Sequence, residues 1–358
     1  MRQPLPALVL ATLLATPLAS PIAAQASRTQ INGFGHLEFA TRRTDSTDVY
    51  FTIGEHSLFL TSELAPRVTF LGEFVVRYNA SSATTFLPSI ERALVRYAYR
   101  DQHAVIAGKV HTPVNFWNDV YHHGRLFFPT IDRPMAFSHF VPLHTLGVQL
   151  QGQNIGRWNF GYDVMAGNGI AANDAFHAGV RPALMASAHV KPLPGTRFSA
   201  SIFHDYMERN GYGAHSGHTA SPFRPAKPYT GPVDFLLGSL SAAWFRGKVE
   251  GLMELSLNRS ATDTLGVAMN PSAFAYLGYK VRDHLTPYVF VDHIRSEPND
   301  LHVYEVHRAN RGIGLRYDLS ALASLKFQLE NGHEHVPHMG HDHEVGWNSL
   351  RLQFAYGF

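Results

Sequence analysis

The chain has 358 residues with 30 basic and 28 acidic side chains, and its net charge of +2 gives no electrostatic basis for a nucleic-acid partner. It contains no cysteine, which excludes disulfide frameworks and thiolate metal sites. Only 16% of residues are charged, few for a water-exposed surface, and past the N-terminal segment no apolar run reaches the ~20 residues of a membrane-spanning helix.

The first residues follow a secretory pattern. Arg2 supplies a positive charge, ALVLATLLATPLA an apolar core, and Ala24-Gln25-Ala26 a small-x-small cleavage site. Residues 1–26 are therefore expected to be a cleaved signal peptide and residues 27–358 one exported domain. From there the chain repeats one unit: about ten alternating residues, a turn, about ten more and a longer polar gap. In RVTFLGEFVVRY, Val68, Phe70, Phe74, Val76 and Tyr78 share one face, while Arg67, Thr69, Glu73 and Arg77 share the other. In VEGLMELSL, Val249, Met253, Leu255 and Leu257 oppose Glu250, Glu254 and Ser256. SLKFQLE sets Leu325, Phe327 and Leu329 against Lys326, Gln328 and Glu330, and RLQFAYGF ends on the same alternation at Phe358. A period of two marks strands with one apolar and one polar face.

The connections between these strands alternate in length. Very short turns are expected at Ala65-Pro66, Asp101-Gln102, Asn154–Arg157, Pro194-Gly195, Gly247-Lys248, Asp283-His284 and Ala321–Ser324. Longer gaps fall near 41–49, 80–88, 113–143, 169–178, 208–232, 259–270, 297–306 and 332–346. This rhythm predicts an all-β fold, a transmembrane antiparallel β-barrel of about 16 strands with short periplasmic turns and long extracellular loops. Closure is required, because an open sheet edge in hydrocarbon leaves N–H and C=O groups unpaired at several kcal/mol each. A soluble sandwich or propeller has no reason to alternate its turn lengths.

A signal peptide, alternating strands, the short-turn/long-loop rhythm and a last strand reading FAYGF together resemble the outer-membrane porins of double-membraned bacteria, the phosphate-selective and related substrate-specific ones most nearly. The resemblance runs from about residue 30 to 358 at the level of architecture. It implies a location in the outer membrane, passive passage of small hydrophilic solutes, a homotrimer, and Phe358 as the aromatic read by the barrel-assembly machinery. It also implies that the third long gap folds into the lumen.

That gap, NFWNDVYHHGRLFFPTIDRPMAFSHFVPLH, is too aromatic for a solvated loop: Phe116, Trp117, Phe127, Phe128, Phe137 and Phe140 need a surface to pack on. Its Asp119, His122, His123, Arg125, Asp132 and Arg133 are the candidate constriction residues. Opposite them, ERALVRYAYR places Arg92, Arg96 and Arg100 on one face, with Arg67, Arg77 and Lys109 on neighbouring strands. Arginine on the lipid face costs about 2–4 kcal/mol at the midplane, so these side chains are expected to point inward. Two readings stand side by side here. A basic ladder facing the constriction biases a pore toward anions, whereas Glu73, Glu250, Glu254 and Glu330 on the same inner face neutralise it.

HEHVPHMGHDHE gathers His333, His335, His338, His341 and His343 with Glu334, Asp342 and Glu344 in the last long gap, and His215 and His218 lie in another. Imidazoles with carboxylates suit Zn²⁺, Cu²⁺ or Ni²⁺. The alternative function is therefore metal binding or metal uptake through this segment; no cofactor is expected, a weakly bound divalent metal belonging to that alternative alone, and a merely chelating loop is the bland reading. No G-x-S-x-G, P-loop or H-E-x-x-H pattern occurs, so no enzymatic activity is expected.

Overall fold

The computed structural model describes residues 29–44, 46–78, 86–122, 124–170, 181–207, 231–300, 307–338 and 341–358, with backbone alone for 336–338 and 341–343. The proposed signal segment, His123, His215 and His218 lie outside the described residues, as do the side chains of His338, His341 and His343.

Among the described residues, seventeen antiparallel strands follow in chain order. The first eight are β1 (Thr29–Arg43), β2 (Thr47–Thr52), β3 (Glu55–Ala65), β4 (Val68–Tyr78), β5 (Phe86–Arg100), β6 (His103–His111), β7 (His144–Ile155) and β8 (Phe160–Gly167). The rest are β9 (Ala183–Val190), β10 (Thr196–Met207), β11 (Val233–Arg246), β12 (Val249–Thr262), β13 (Gly266–Tyr279), β14 (Leu285–Arg295), β15 (His307–Ser320), β16 (Ala323–His338) and β17 (His341–Gly357). β2 and β3 both pair with β1 and are two halves of one staircase interrupted at Ile53-Gly54, so the wall has sixteen staves. β1 also pairs with β17, from Phe34↔Gly357 to Arg43↔Asn348, and the sheet closes without an edge.

The barrel is built inside out. Ile313, Leu277, Leu240 and Val291 are 55–58% exposed on the outer face, whereas Lys326, Gln328 and Gln353 are fully buried on the inner one. Water against the outer band would cost about 25 cal/mol per Å² of apolar surface, so the outside faces hydrocarbon. Inside, β5 carries a bulge: Glu73 pairs with Arg92 but Phe74 with Ile90, leaving Glu91 as the extra residue. The insertion lets both Glu91 and Arg92 turn inward, where Arg92 Nε bonds Glu73 Oε2 at 2.6 Å.

Three predicted loops are largely strand. β1 runs to Arg43, paired with Thr47, and β12 to Thr262, paired with Gly266, so the gaps expected at 41–49 and 259–270 shrink to tight hairpins. The histidine-rich segment expected as a loop at 332–346 continues the β16–β17 ladder out to His338↔His341. Past the hydrocarbon a strand no longer needs apolar residues on either face, and its polar sequence reads as a loop. Arg67 is a further correction. It occupies the turn after β3 with φ +67° and pairs with the exposed Asp101 at 3.5 Å instead of pointing into the lumen.

Candidate functional site

The connection between β6 and β7, residues 112–143, lies inside the barrel. Its apolar side chains drive it there. Val114, Phe116, Trp117, Phe128, Phe137, Phe140 and Val141 join one buried cluster with inward-facing Phe203, Phe235, Leu237 and Phe274 of β10, β11 and β13. Trp117 meets Phe128 and Phe274 edge-on at 5.4 and 5.3 Å. One side of the lumen is therefore filled by an apolar core, a feature that alternation alone does not reveal.

Polar tethers fix the loop around the rest of the wall. The backbone N–H groups of Phe116 and Trp117 both donate to Glu254 Oε2 on β12, at 2.9 and 3.0 Å. That of Met135 donates to Asp292 Oδ2 on β14 at 2.7 Å, and that of Ile131 to Gln328 Oε1 on β16 at 3.2 Å. Lys326 Nζ donates to the carbonyls of Arg125 and Thr130. At the neck, the buried Asn118 amide donates to Thr112 O at 2.6 Å and Leu143 O at 3.2 Å, clasping the two ends of the loop together. Each wall carboxylate answers loop N–H groups that would otherwise be orphaned away from water.

A cavity of about 400 Å³ opens beside the loop toward the long-connection end. Five arginines line it (Arg42, Arg125, Arg133, Arg308 and Arg351) against three carboxylates, Asp132, Asp292 and Glu330. Arg351 is neutralised by Asp132, Glu38 and Glu330, and Arg133 meets Glu55 at 3.1 Å. Burial pushes the Arg133 guanidinium down to about 10 while the Glu55 carboxylate holds it up, so it stays charged at neutral pH. Arg42 and Arg308 both lie over the Trp347 ring, at 4.6 and 4.7 Å, and make no ion pair among the described residues. A second cavity of about 440 Å³ lies at the short-turn end, lined by Tyr121 and Phe127 of the loop with Glu250, His284 and Arg316 of the wall. The loop is thus a diaphragm with a polar vestibule on each side.

The residues expected at a constriction are dispersed by this arrangement. Arg125, Asp132 and Arg133 meet in the arginine-lined cavity at the long-connection end. Asp119 pairs with Arg197 of β10, Arg92 with Glu73, and Lys109 is buried in the wall of β6. Arg96 alternates with outward Val95 and Tyr97 on β5, Arg100 is exposed at the strand end past a register shift, and neither lines either cavity. His122 is buried, 2% exposed, against His111 and His144 at the loop's neck. Sequence reasoning missed Arg42, Arg308, Arg351 and Trp347, which lie in strand ends read as loop or on a polar face with no motif. It also missed His111 and His144, although they stand at the two ends of the aromatic gap.

No family model matches the chain, and no curated protein matches its sequence. Solved structures do. The anion-selective porin from Comamonas acidovorans superposes with a TM-score of 0.66 at 12% identity, over 93% of this chain and 100% of that one. Outer-membrane expressed OmpT of Vibrio cholerae gives 0.60 at 12% over 94% and 99%, and Salmonella typhi OmpF in complex with daunomycin 0.58 at 9% over 92% and 97%. The fold is that of the outer-membrane porins. The porin barrel accounts for the lipid-facing outer band, the closed sixteen-stave wall and the loop folded into the lumen.

Proposed function

We propose that the protein is a passive diffusion channel for small hydrophilic solutes in the outer membrane, biased toward anions. The observation that carries the reading is the inserted loop flanked by polar vestibules, the one at the long-connection end holding Arg42 and Arg308 without ion-paired partners among the described residues. Within a Debye length of about 8–10 Å, five guanidinium groups against three carboxylates raise the local anion concentration and lower that of cations. Elsewhere on the inner face the opposite signs cancel, as in Arg92–Glu73, Arg77–Glu91 and Arg316–Glu250. The bias therefore rests on the vestibule, not on the β5 ladder. A superposing structure titled an anion-selective porin supports the same direction, and one OmpT structure is titled a trimer form, which supports a homotrimer here. The superposition on porins supports a channel rather than an enzyme. Exposed Phe358, whose N–H and C=O pair with Gly33 across the β1–β17 seam, is the residue we assign to recognition by the assembly machinery.

The test is a reversal potential across a planar bilayer under a potassium chloride gradient. The wild-type channel is expected to prefer chloride, and Arg42→Glu with Arg308→Glu to remove or invert that preference. A wild-type preference for potassium would contradict the anion bias.

Metal capture by the external hairpin is a second reading with one observation behind it: the rings of His293, His307 and His333 follow one another at 5.3 and 6.5 Å on adjoining strands. Loss of zinc binding on removal of the hairpin histidines is its expected signature.

A further inference from the structure

Three imidazoles outside the histidine-rich hairpin converge into one group among the described residues. His111 is the last residue of β6 and His144 the first of β7, and the two are direct cross-strand partners. The loop that leaves after His111 turns through a single π-helical turn, Trp117–Tyr121, and returns His122 to its own neck. One ligand nitrogen from each of the three lies within 4.8 Å of the others. The His111 and His122 rings stack at 3.5 Å with 17° between planes, and His144 meets His122 edge-on at 4.8 Å.

The surroundings are those of a ligand set. His122 Nδ1 bonds Asn118 Oδ1 at 2.5 Å, a second partner of the kind that orients a ligand imidazole. His111 Nε2 is 3.3 Å from Glu73 Oε2, and His144 Nε2 is 2.8 Å from Glu91 Oε2. Both carboxylates are fully buried, and each is oriented from behind, Glu73 by Arg92 and Glu91 by Arg77 at 2.5 Å. The bulge in β5 is what brings Glu91 and Arg92 inward together.

We propose that His111, His122 and His144 form a binding site for a divalent transition metal of the zinc class, with Glu73 or Glu91 as a carboxylate ligand or outer partner. Three imidazoles and a carboxylate suit borderline cations, not the oxygen-preferring Ca²⁺ or Mg²⁺. Nitrogens bound at about 2.0–2.1 Å to a tetrahedral ion stand roughly 3.3–3.4 Å apart, so closing the site needs shifts on the order of 1 Å, within reach of side-chain rotation. The metal would lock the loop to its neck. It would also act on the vestibule, because the His122 carbonyl accepts hydrogen bonds from Arg133 Nε and Nη2 at 2.9 and 2.6 Å. This site is independent of the channel reading and separate from the hairpin histidines.

The experiment uses the folded full-length barrel in detergent with His333, His335, His338, His341 and His343 all changed to Gln, titrated with Co²⁺ and then with Zn²⁺. The site predicts one equivalent of Co²⁺ with the intense visible absorption of a nitrogen-ligated, low-coordinate ion, displaced by one equivalent of Zn²⁺. His122→Gln is expected to abolish the spectrum, and Glu73→Gln or Glu91→Gln to weaken binding about 10–100-fold. Should His122→Gln fail to give a barrel by circular dichroism, His144→Gln replaces it as the ligand variant. No stoichiometric Co²⁺ in the hairpin-substituted protein, or a spectrum unchanged in a folded ligand variant, overturns the proposal.

Discussion

Glu254 shows how much of the inner architecture turns on single side chains. Its Oε2 accepts two adjacent loop N–H groups, and truncation strands that of Trp117 and leaves that of Phe116 only the Ser241 hydroxyl at 3.2 Å. Glu254→Ala is expected to weaken loop docking by roughly 1–3 kcal/mol per stranded group while leaving the barrel intact. The measurement is protease cleavage within residues 112–143, which should appear in the variant and be absent from the wild type. His139 carries a pH prediction. Burial pushes its imidazole below the ordinary histidine range, with Arg308 adding to the effect and the Met135 carbonyl and Glu334 opposing it. Its bond to Met135 O, at 2.7 Å, then has the neutral ring donating. Because the undocked ring takes up a proton that the docked one refuses, docking is favoured above the ordinary value and weakens as pH falls below it. Channel noise from loop opening should therefore rise between pH 8 and pH 5, and His139→Gln should flatten that part of the response.

The loop is the element on which solute passage depends, and it was the most legible feature of the chain after the strands. Of six aromatic residues in a segment that had no other surface to cover, five join the core against β10–β13, while half-exposed Phe127 meets Phe34 of β1 at 5.3 Å. Deleting residues 116–140 and bridging the neck is expected to raise single-channel conductance several-fold, as measured in planar bilayers. Less was legible at strand ends. Alternation tells strand from loop only where one face meets lipid, so the polar extensions around Arg42, Val267 and His333 read as connections. The vestibule arginines were hidden for the same reason. Nor could alternation show pairing across the lumen: Asp119 finds Arg197 and Asp132 finds Arg351 only because the loop folds back on the wall. The histidine cluster had a signal, His111 and His144 bracketing the gap, but its third member gains meaning only from the turn that returns it.

At the scale of the whole molecule, one arrangement organises the rest: hydrocarbon outside a closed wall and water on both sides of a diaphragm within it. Sixteen staves, the β1–β17 closure and an outer band of Leu, Val, Ile and Phe follow from it, as does the burial of Lys326, Gln328 and Gln353 on the inner side. The absence of cysteine makes this directly measurable. On β15, Ile313 faces outward at 58% exposure and Asn310 lines the arginine-rich vestibule. With single cysteines placed at these two positions in reconstituted vesicles, a membrane-impermeant charged thiol reagent should label Asn310→Cys, while Ile313→Cys should react only with an apolar, bilayer-soluble one. Equal labelling of Ile313→Cys by the charged reagent would place water on the outer face and contradict the membrane barrel itself.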